Sequence, residues 1–117
     1  MGHPYKASKA WHLGHALRDD VHQVTRTFAS QGQHLLAQDM QVVAEQTIHH
    51  VAQSHQYKEI AQRLTCYKQA RQAIMALQVN INLARDLQVI DQEVHRRLAG
   101  QAAVIYQLLR ELVQTTN

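Results

Sequence analysis

The chain has 117 residues, carries 12 Lys and Arg against 9 Asp and Glu, and has a formal net charge of +3. One proline, four glycines and one cysteine leave little material for turns and exclude an internal disulfide, so the sequence predicts one all-α domain over residues 1–117 in a reducing compartment. Its apolar runs are too short to span a bilayer and no apolar signal region follows the start, which predicts a cytoplasmic protein with no membrane partner.

Four amphipathic helices are predicted in chain order, because apolar residues recur at steps of three and four along each segment. They cover residues 6–28, 35–53, 57–87 and 92–114. The third is the longest, and the spacing of its apolar stripe, about 3.5 residues, favours shallow crossing angles. Short joints predict an antiparallel up-down-up-down four-helix bundle. The side chains expected to face the core are Ala10, Leu13, Leu17, Val21, Val24, Phe28, Leu36, Met40, Val43, Thr47, Ile48, Val51, Ile60, Leu64, Tyr67, Ala70, Ile74, Leu77, Ile81, Ala84, Val94, Leu98, Ile105, Leu108 and Leu112.

Residues 80–94 are the most informative segment, because they indicate the end of one helix, a short turn and the start of another. Asp91 is expected to cap the fourth helix by accepting hydrogen bonds from free N–H groups of its first turn, and Glu93 adds negative charge there. A connection this short predicts that the two helices lie antiparallel. Gly14 and Gly100 fall inside predicted helices, which indicates the close approach of a neighbouring backbone.

Three parts of the chain carry a family resemblance: Trp11 in the first helix, residues 25–28 at its end, and residues 83–91 at the last hairpin. With these residues the chain resembles the four-helix-bundle proteins found within bacterial rRNA intervening sequences. It equally resembles their relatives, the accessory variability determinants (Avd) of diversity-generating retroelements. The resemblance covers nearly the whole chain in length and helix order. It implies a ring-like homo-oligomer, a pentamer, whose further partners are RNA or DNA, a reverse transcriptase, or both.

Two departures from the family pattern bear on which branch the chain resembles more. Intervening-sequence proteins carry a Pro-containing stretch similar to S-I-P-x-N-I-A-E-G around the second helix, whereas residues 43–52 here contain no Pro. That difference favours the Avd branch. Avd proteins tend to be strongly basic along the third helix, whereas its later half here carries Gln78, Asn80 and Asn82 and leaves only Arg85. That difference weighs against nucleic-acid binding.

Basic side chains in the second half of the chain are the candidates for contacting a partner. Arg63, Arg71 and Arg85 fall near the apolar stripe of the third helix, where a guanidinium must reach solvent or meet a partner such as another subunit, an acidic protein or phosphate. The second helix holds Asp39 and Glu45 and no Lys or Arg, which suggests pairing with a basic helix of the same or another copy. The candidate nucleic-acid or partner-binding residues are Arg63, Lys68, Arg71, Arg85, Arg96 and Arg97.

A polar row on the first helix, formed by His12, His15, Asp19 and His22, is predicted to be exposed. Imidazole and carboxylate groups bind zinc or nickel, but a functional site needs converging ligands and supporting hydrogen bonds, so a solvent-facing stripe is the preferred interpretation.

Cys66 lies beside the apolar stripe and is expected to be a small core residue. No Glu is followed by His at the third position, which excludes the paired diiron motif. No cofactor and no enzymatic activity are predicted.

These observations predict a non-catalytic accessory protein of the Avd type, an oligomeric helical bundle that binds nucleic acid, a reverse transcriptase or both. The alternative is a structural bundle of the intervening-sequence type that does not bind nucleic acid. A histidine-based metal-binding protein is a third and more distant alternative. A neighbouring reverse-transcriptase gene would separate the first two.

Overall fold

The computed structural model of the protein describes residues 4–116, and at Pro4 the backbone only. Within this part, the chain forms four α-helices and two single-turn 3-10 helices and contains no β-strand. The α-helices are α1 (Pro4–Val24), α2 (His34–Ser54), α3 (Ile60–Asp86) and α4 (Gln92–Thr115). The 3-10 helices, Thr25–Thr27 and Ala29–Gln31, follow α1 directly. None of the four described α-helices is long and apolar enough to cross a membrane.

The four helices pack in chain order around a single core. Each contacts the helix that follows it, and α4 returns to contact α1, so the arrangement is a closed four-helix bundle. The α2–α3 pair makes the most extensive approach. The bundle measures 47 × 21 × 18 Å. These are the dimensions expected of helices of this length packed side by side, each about 10 Å across.

The core is aliphatic and matches the predicted stripes over the middle of the bundle. Its largest fully buried side chains are Phe28, Leu17, Met40, Ile74, Leu77, Ile81, Leu98, Ile105, Leu109, Leu112, Val21 and Val51. Leu13, Val24 and Val94, also expected there, are half-buried and pack against the core. Two other residues expected in the core, Ile60 and Leu64, are exposed and half-buried respectively. Both lie in the first turns of α3, near the end of the bundle, where few side chains of other helices are available to cover them.

The ends of α1 and α2 differ from the predicted boundaries because hydroxyl groups bond back to the helix. The Thr25 hydroxyl donates to the carbonyl of Val21 at 2.7 Å, and the chain tightens into 3-10 turns there instead of continuing as an α-helix. The Ser54 hydroxyl likewise donates to the Val51 carbonyl at the end of α2. Helix α3 begins at Ile60 rather than at the predicted position 57.

The α3–α4 joint confirms the predicted cap and adds a feature that the sequence did not reveal. Asp91 Oδ1 accepts a hydrogen bond from the Val94 N–H at 2.8 Å. Before it, Gln88 adopts a left-handed backbone with φ of 61°. Its N–H donates to the Arg85 carbonyl, and the next N–H donates to the Ala84 carbonyl. This pattern is the Schellman motif, in which Gly is the preferred left-handed residue.

The two helical glycines have different surroundings. A Cβ added to Gly14 would lie 3.1 Å from Ile48 Cγ1, so α1 and α2 approach closely there, although the contact is with a side chain rather than the backbone. Around Gly100, an added Cβ would meet nothing within 4 Å. The predicted close approach is therefore wrong for Gly100.

Candidate nucleic-acid interface

The basic residues predicted to bind a partner do not form a single surface. Arg71 and Arg85 lie seven residues before and after Gln78, and residues at that spacing share one side of a helix. Arg85 Nη1 lies 3.3 Å from His95 Nε2 on α4, so this side of α3 borders α4. Arg96, the residue after His95, is exposed and points about 100° around α4 from it, toward the outward face. We call this surface the α3–α4 flank; it consists of Arg71, Gln78, Asn82, Arg85, His95 and Arg96.

His95 connects the polar groups of the α3–α4 flank. Its Nε2 lies 2.8 Å from Asn82 Oδ1 as well as 3.3 Å from Arg85 Nη1. A ring nitrogen can donate to the amide oxygen or accept from the guanidinium, but cannot do both at once. Arg85 also donates to Asp86 at 3.1 Å. Arg85 and Arg96 are exposed and Arg71 is half-buried, and the neighbours of Arg85 orient its guanidinium, a group that can donate in a fork to phosphate oxygens.

Arg97 lies apart from the α3–α4 flank and binds α1. Its Nε and Nη2 each donate to a carboxylate oxygen of Asp20 at 2.9 Å, and Gln101 donates to the same carboxylate at 3.2 Å. These hydrogen bonds, those from Arg97 above all, lower the pKa of Asp20, and the same pairing raises the pKa of Arg97. The guanidinium is thus engaged within the subunit, and Arg97 is better explained as a link between helices than as a phosphate contact.

Lys68 and Arg63 also lie away from the flank. Lys68 is exposed and stands seven residues before Met75, on the outward face of α3. Arg63 is half-buried in the first turn of α3, near the end of the bundle. Periodicity placed both residues on the correct helix without indicating which neighbour, if any, each would face.

The histidine row on α1 is less exposed than predicted. His15 is half-buried, its ring centroid lies 4.1 Å from that of Trp11, and its Nε2 has no solvent contact and no hydrogen-bond partner within residues 4–116. Asp19 accepts from Arg18, whereas His12 and His22 are exposed. The prediction of a fully exposed row is therefore wrong at His15, because Trp11 covers it. Among the residues that the structure describes, no group of three or more His, Cys, Asp or Glu side chains could hold a metal ion.

Two surface hollows lie along α2. One, of about 660 Å³, is lined by His22, Gln38, Gln41, Val42, Glu45, Gln46 and His49. The other, of about 330 Å³, lies between α2 and α3 and is lined by Val43, Gln46, His50, Gln69, Gln72, Ala73 and Ala76. Burial lowers the pKa of His50, whose Nδ1 has no partner among the described residues. Each hollow is lined by three Gln side chains together with apolar and His side chains, and neither contains an arrangement of nucleophile and base.

Two other residues clarify what the third helix does. Asn80, predicted as part of a polar surface, is buried and donates from its amide to Asp39 Oδ2 on α2 at 2.8 Å. Its position three residues after Leu77, on the buried face, was the available signal. Cys66 is buried, and burial raises the pKa of its thiol, which confirms the core interpretation.

The sequence analysis missed an exposed apolar row. Met75, Val79, Leu83 and Leu87 recur every four residues on the outward face of α3 and are between 43% and 66% exposed. Each is a large aliphatic side chain in a helix that already has a complete buried stripe. In the sequence these residues form a second apolar series with a four-residue step. On the helix surface this series lies about a quarter of a turn or more away from the buried apolar stripe.

No protein-family model matches the chain, and no curated protein matches it. Its fold is similar to the crystal structure of a protein of unknown function from the S23 ribosomal protein family of Bacteroides thetaiotaomicron VPI-5482. The TM-score is 0.86 and the match covers 94% of this chain and 99% of that one, at 12% sequence identity. A likeness at this identity shows a shared four-helix fold. It does not confirm the narrower resemblance to Avd proteins and carries no function to this chain.

Proposed function

We propose that the protein is a non-catalytic, cytoplasmic accessory protein of the Avd type that forms a ring-like homo-oligomer, a pentamer, and binds RNA or DNA. A reverse transcriptase is the protein partner that the family resemblance implies. The observation that carries the proposal is the α3–α4 flank, where Arg71, Arg85 and Arg96 lie on neighbouring helices. The resemblance of residues 83–91 to the family supports the same reading.

The proposed subunit is an antiparallel up-down-up-down bundle. Side-chain pairs between helices support the antiparallel arrangement, because along each pair of neighbouring helices the residue number falls on one helix as it rises on the other. The pairs are Thr25 with Gln41 and Arg18 with Glu45 between α1 and α2, and Arg97 with Asp20 and Lys6 with Glu111 between α4 and α1. Short joints favour the same arrangement.

Binding through the α3–α4 flank should be dominated by phosphate contacts. Arginine donates in a fork that fits phosphate oxygens, and each neutralised phosphate releases counterions, so affinity falls steeply with salt. Assembly into a ring repeats the flank around the oligomer and multiplies the modest charge of one subunit. The flank carries no row of exposed aromatic rings on which single-stranded bases could stack, so duplex or structured RNA is the expected ligand.

The binding test compares two triple variants with the same change in charge. Arg71, Arg85 and Arg96 are replaced by Gln in the first, and the exposed Lys9, Arg26 and Lys58 are replaced by Gln in the second. Fluorescence anisotropy with a labelled RNA hairpin and a DNA duplex at low salt should show a loss of about tenfold or more for the flank variant and a smaller loss for the control. The slope of log affinity against log salt should fall by roughly 0.9 for each phosphate contact removed.

Failure of this test has a defined meaning. No binding at tens of micromolar wild-type protein, with the oligomer intact, would contradict the nucleic-acid part of the proposal. It would favour the alternative, a scaffold of the intervening-sequence type, which the neutral Gln78 and Asn82 within the flank already support. Light scattering after size exclusion tests the oligomer itself, which should have several times the 13.4 kDa mass of the chain.

A further inference from the structure

The exposed row Met75, Val79, Leu83 and Leu87, which we call the α3 row, runs for about 18 Å along the helix at 1.5 Å per residue. Contiguous apolar patches on a monomer surface commonly mark an interaction site. A second, shorter row lies on α2. Leu35 and Val42 are 69% and 51% exposed and stand seven residues apart on the outward face, about 10 Å; we call them the α2 row.

The two rows lie at the same heights along the bundle. The hydrogen bond between Asp39 and Asn80 places these two residues level with each other. In an antiparallel pair of helices with equal rise per residue, Val42, three residues after Asp39, is level with position 77, three residues before Asn80. That position lies between Met75 and Val79. By the same count Leu35 is level with position 84, beside Leu83. The α2–α3 hollow supports this register, because it brings Val43 together with Ala76 and His50 together with Gln69.

We propose that the α3 row of one copy packs on the α2 row of the next copy, in a head-to-tail interface that builds the homo-oligomer proposed above and rests on it. Because the rows share their heights, one copy is brought onto the next by rotation without translation along the bundle. A head-to-tail contact of this kind closes into a ring, whereas an axial shift would produce an open helical filament.

The positions of α2 and α3 limit the size of the ring. They occupy adjacent corners of a four-helix bundle, so their outward faces point about 90° apart. In a closed ring, the angle between the directions to the two neighbours is about 90° for four subunits and about 108° for five. The geometry therefore favours a small ring, in agreement with the pentamer that the family resemblance implies.

The charges beside the rows are complementary. Helix α2 contains Asp39 and Glu45 and no Lys or Arg, whereas α3 contains Lys68 and Arg71 before its row. In the register above, Glu45 of one copy, which also pairs with Arg18 of its own subunit, lies at the height of position 74 of the next, about 9 Å along the axis from Lys68. Opposite charges that face each other at the rim of an apolar contact favour packing of the α3 row on the α2 row. A contact of two identical α3 rows would instead bring basic side chains together.

The test uses one variant for each row. Val79→Asp places a charge in the α3 row and Val42→Asp places one in the α2 row; both side chains are exposed, so neither change should unfold the subunit. Light scattering should give each variant alone as a monomer of 13.4 kDa. Mixed in equal amounts, the two should form a dimer of twice that mass, because each retains the face that the other lacks. Val104→Asp, in an exposed position on α4, is the control and should leave the oligomer intact.

Each of the other possible outcomes contradicts a different part of the proposal. A monomeric wild-type protein would contradict the proposed homo-oligomer. An oligomeric wild type whose assembly survives Val79→Asp or Val42→Asp would contradict the interface alone. A variant that still forms a dimer by itself would indicate a two-fold contact of identical surfaces, and an equal mixture that stays monomeric would show that the two rows do not meet. Circular dichroism of every variant establishes that the helices remain folded.

Discussion

The α1–α4 contact and the α2–α3 contact close the same core by different means. Two ion pairs join α1 and α4: Lys6 with Glu111, and Arg97 with Asp20. The more extensive α2–α3 contact has one side-chain hydrogen bond, from Asn80 to Asp39, and no ion pair among the residues described. Charge is therefore neutralised between helices at α1–α4, whereas on α3 the ion pair of Arg85 is with Asp86 of the same helix.

The largest effect should come from the apolar core that both contacts share. Leu77 is fully buried on α3, and Leu77→Ala removes its packing and leaves a cavity, at a cost of about 2–5 kcal/mol in the free energy of unfolding. Val104→Ala, 48% exposed on α4 and outside both apolar rows, is the control, with an expected change within about 0.5 kcal/mol. Denaturant unfolding measures both. A loss below about 1 kcal/mol for Leu77→Ala would contradict the assigned core.

The next largest effect should come from the polar link of the α2–α3 contact. Asn80→Ala removes a hydrogen bond to a carboxylate, which typically contributes about 1.5 kcal/mol or more when formed. We expect a loss of about 1–2 kcal/mol, because the exposed Asp39 can turn to water instead. Asp39→Asn preserves an acceptor and should lose less in the same urea titration. Equal losses for the two variants would mean that the charge of Asp39, rather than the hydrogen bond, stabilises the contact.

A smaller and pH-dependent effect is expected for the α1–α4 contact. Hydrogen bonds from Arg97 lower the pKa of Asp20 below its ordinary value of 3.8, so the folded state favours the carboxylate. The resulting stability is fully present above the ordinary pKa and is lost as the pH falls through the lowered pKa of the folded state. Because the Arg97 side chain is 46% exposed, solvent screens the pair, and Asp20→Asn should cost about 1 kcal/mol or less near neutral pH.

Urea unfolding at about pH 6 and about pH 2 tests this effect. The difference in stability between the wild type and Asp20→Asn should shrink at the lower pH. Asp19→Asn is the control, since the Asp19 side chain is 72% exposed and its ion pair is with the neighbouring residue of the same helix. A difference for Asp20→Asn that is the same at both pH values would contradict the sign of the pKa change.

The smallest effect should come from the α3–α4 joint, which belongs to neither contact. Gln88 has a left-handed backbone that glycine adopts without steric cost. We expect Gln88→Gly to raise the free energy of unfolding by about 0.5 kcal/mol, after the entropy that glycine adds to the unfolded chain is subtracted. Gly32→Ala is the opposite control, because Gly32 has φ of 76° and alanine there should destabilise the protein. Unchanged stability in both variants would mean that these turns relax freely.

Periodicity predicted the four helices because apolar residues at steps of three and four, in a chain so poor in turn residues, indicate amphipathic helices and no other stable structure. It predicted the ends less well. The end of α1 depends on the Thr25 hydroxyl bond, and the exposure of Ile60 depends on how far α3 extends past its neighbours, which is a property of the assembled bundle. Gln88 gave no warning of a left-handed residue, since Gly or Asn is the usual signal.

The candidate site was predicted in part. The sequence predicted that Arg63, Arg71 and Arg85 fall near the apolar stripe of α3; in the structure Arg63 and Arg71 are half-buried and Arg85 is exposed. It could not assign Arg97 to Asp20, which is 77 positions away, and no local pattern connects the two. The α3 row was not predicted because one apolar stripe is enough to explain a helix in a bundle.

The α2–α3 hollow has a consequence for how a ring of this protein would meet nucleic acid. If the α2 and α3 rows join neighbouring copies, the side of the bundle between them turns toward the central axis. The hollow that faces the bore is then lined by Gln46, Gln69, Gln72 and His50 among others, and contains no Lys or Arg. A strand of phosphates would meet mainly uncharged side chains at that hollow. The guanidinium groups of the α3–α4 flank lie on the outer wall, so nucleic acid would wrap around the ring rather than thread through it.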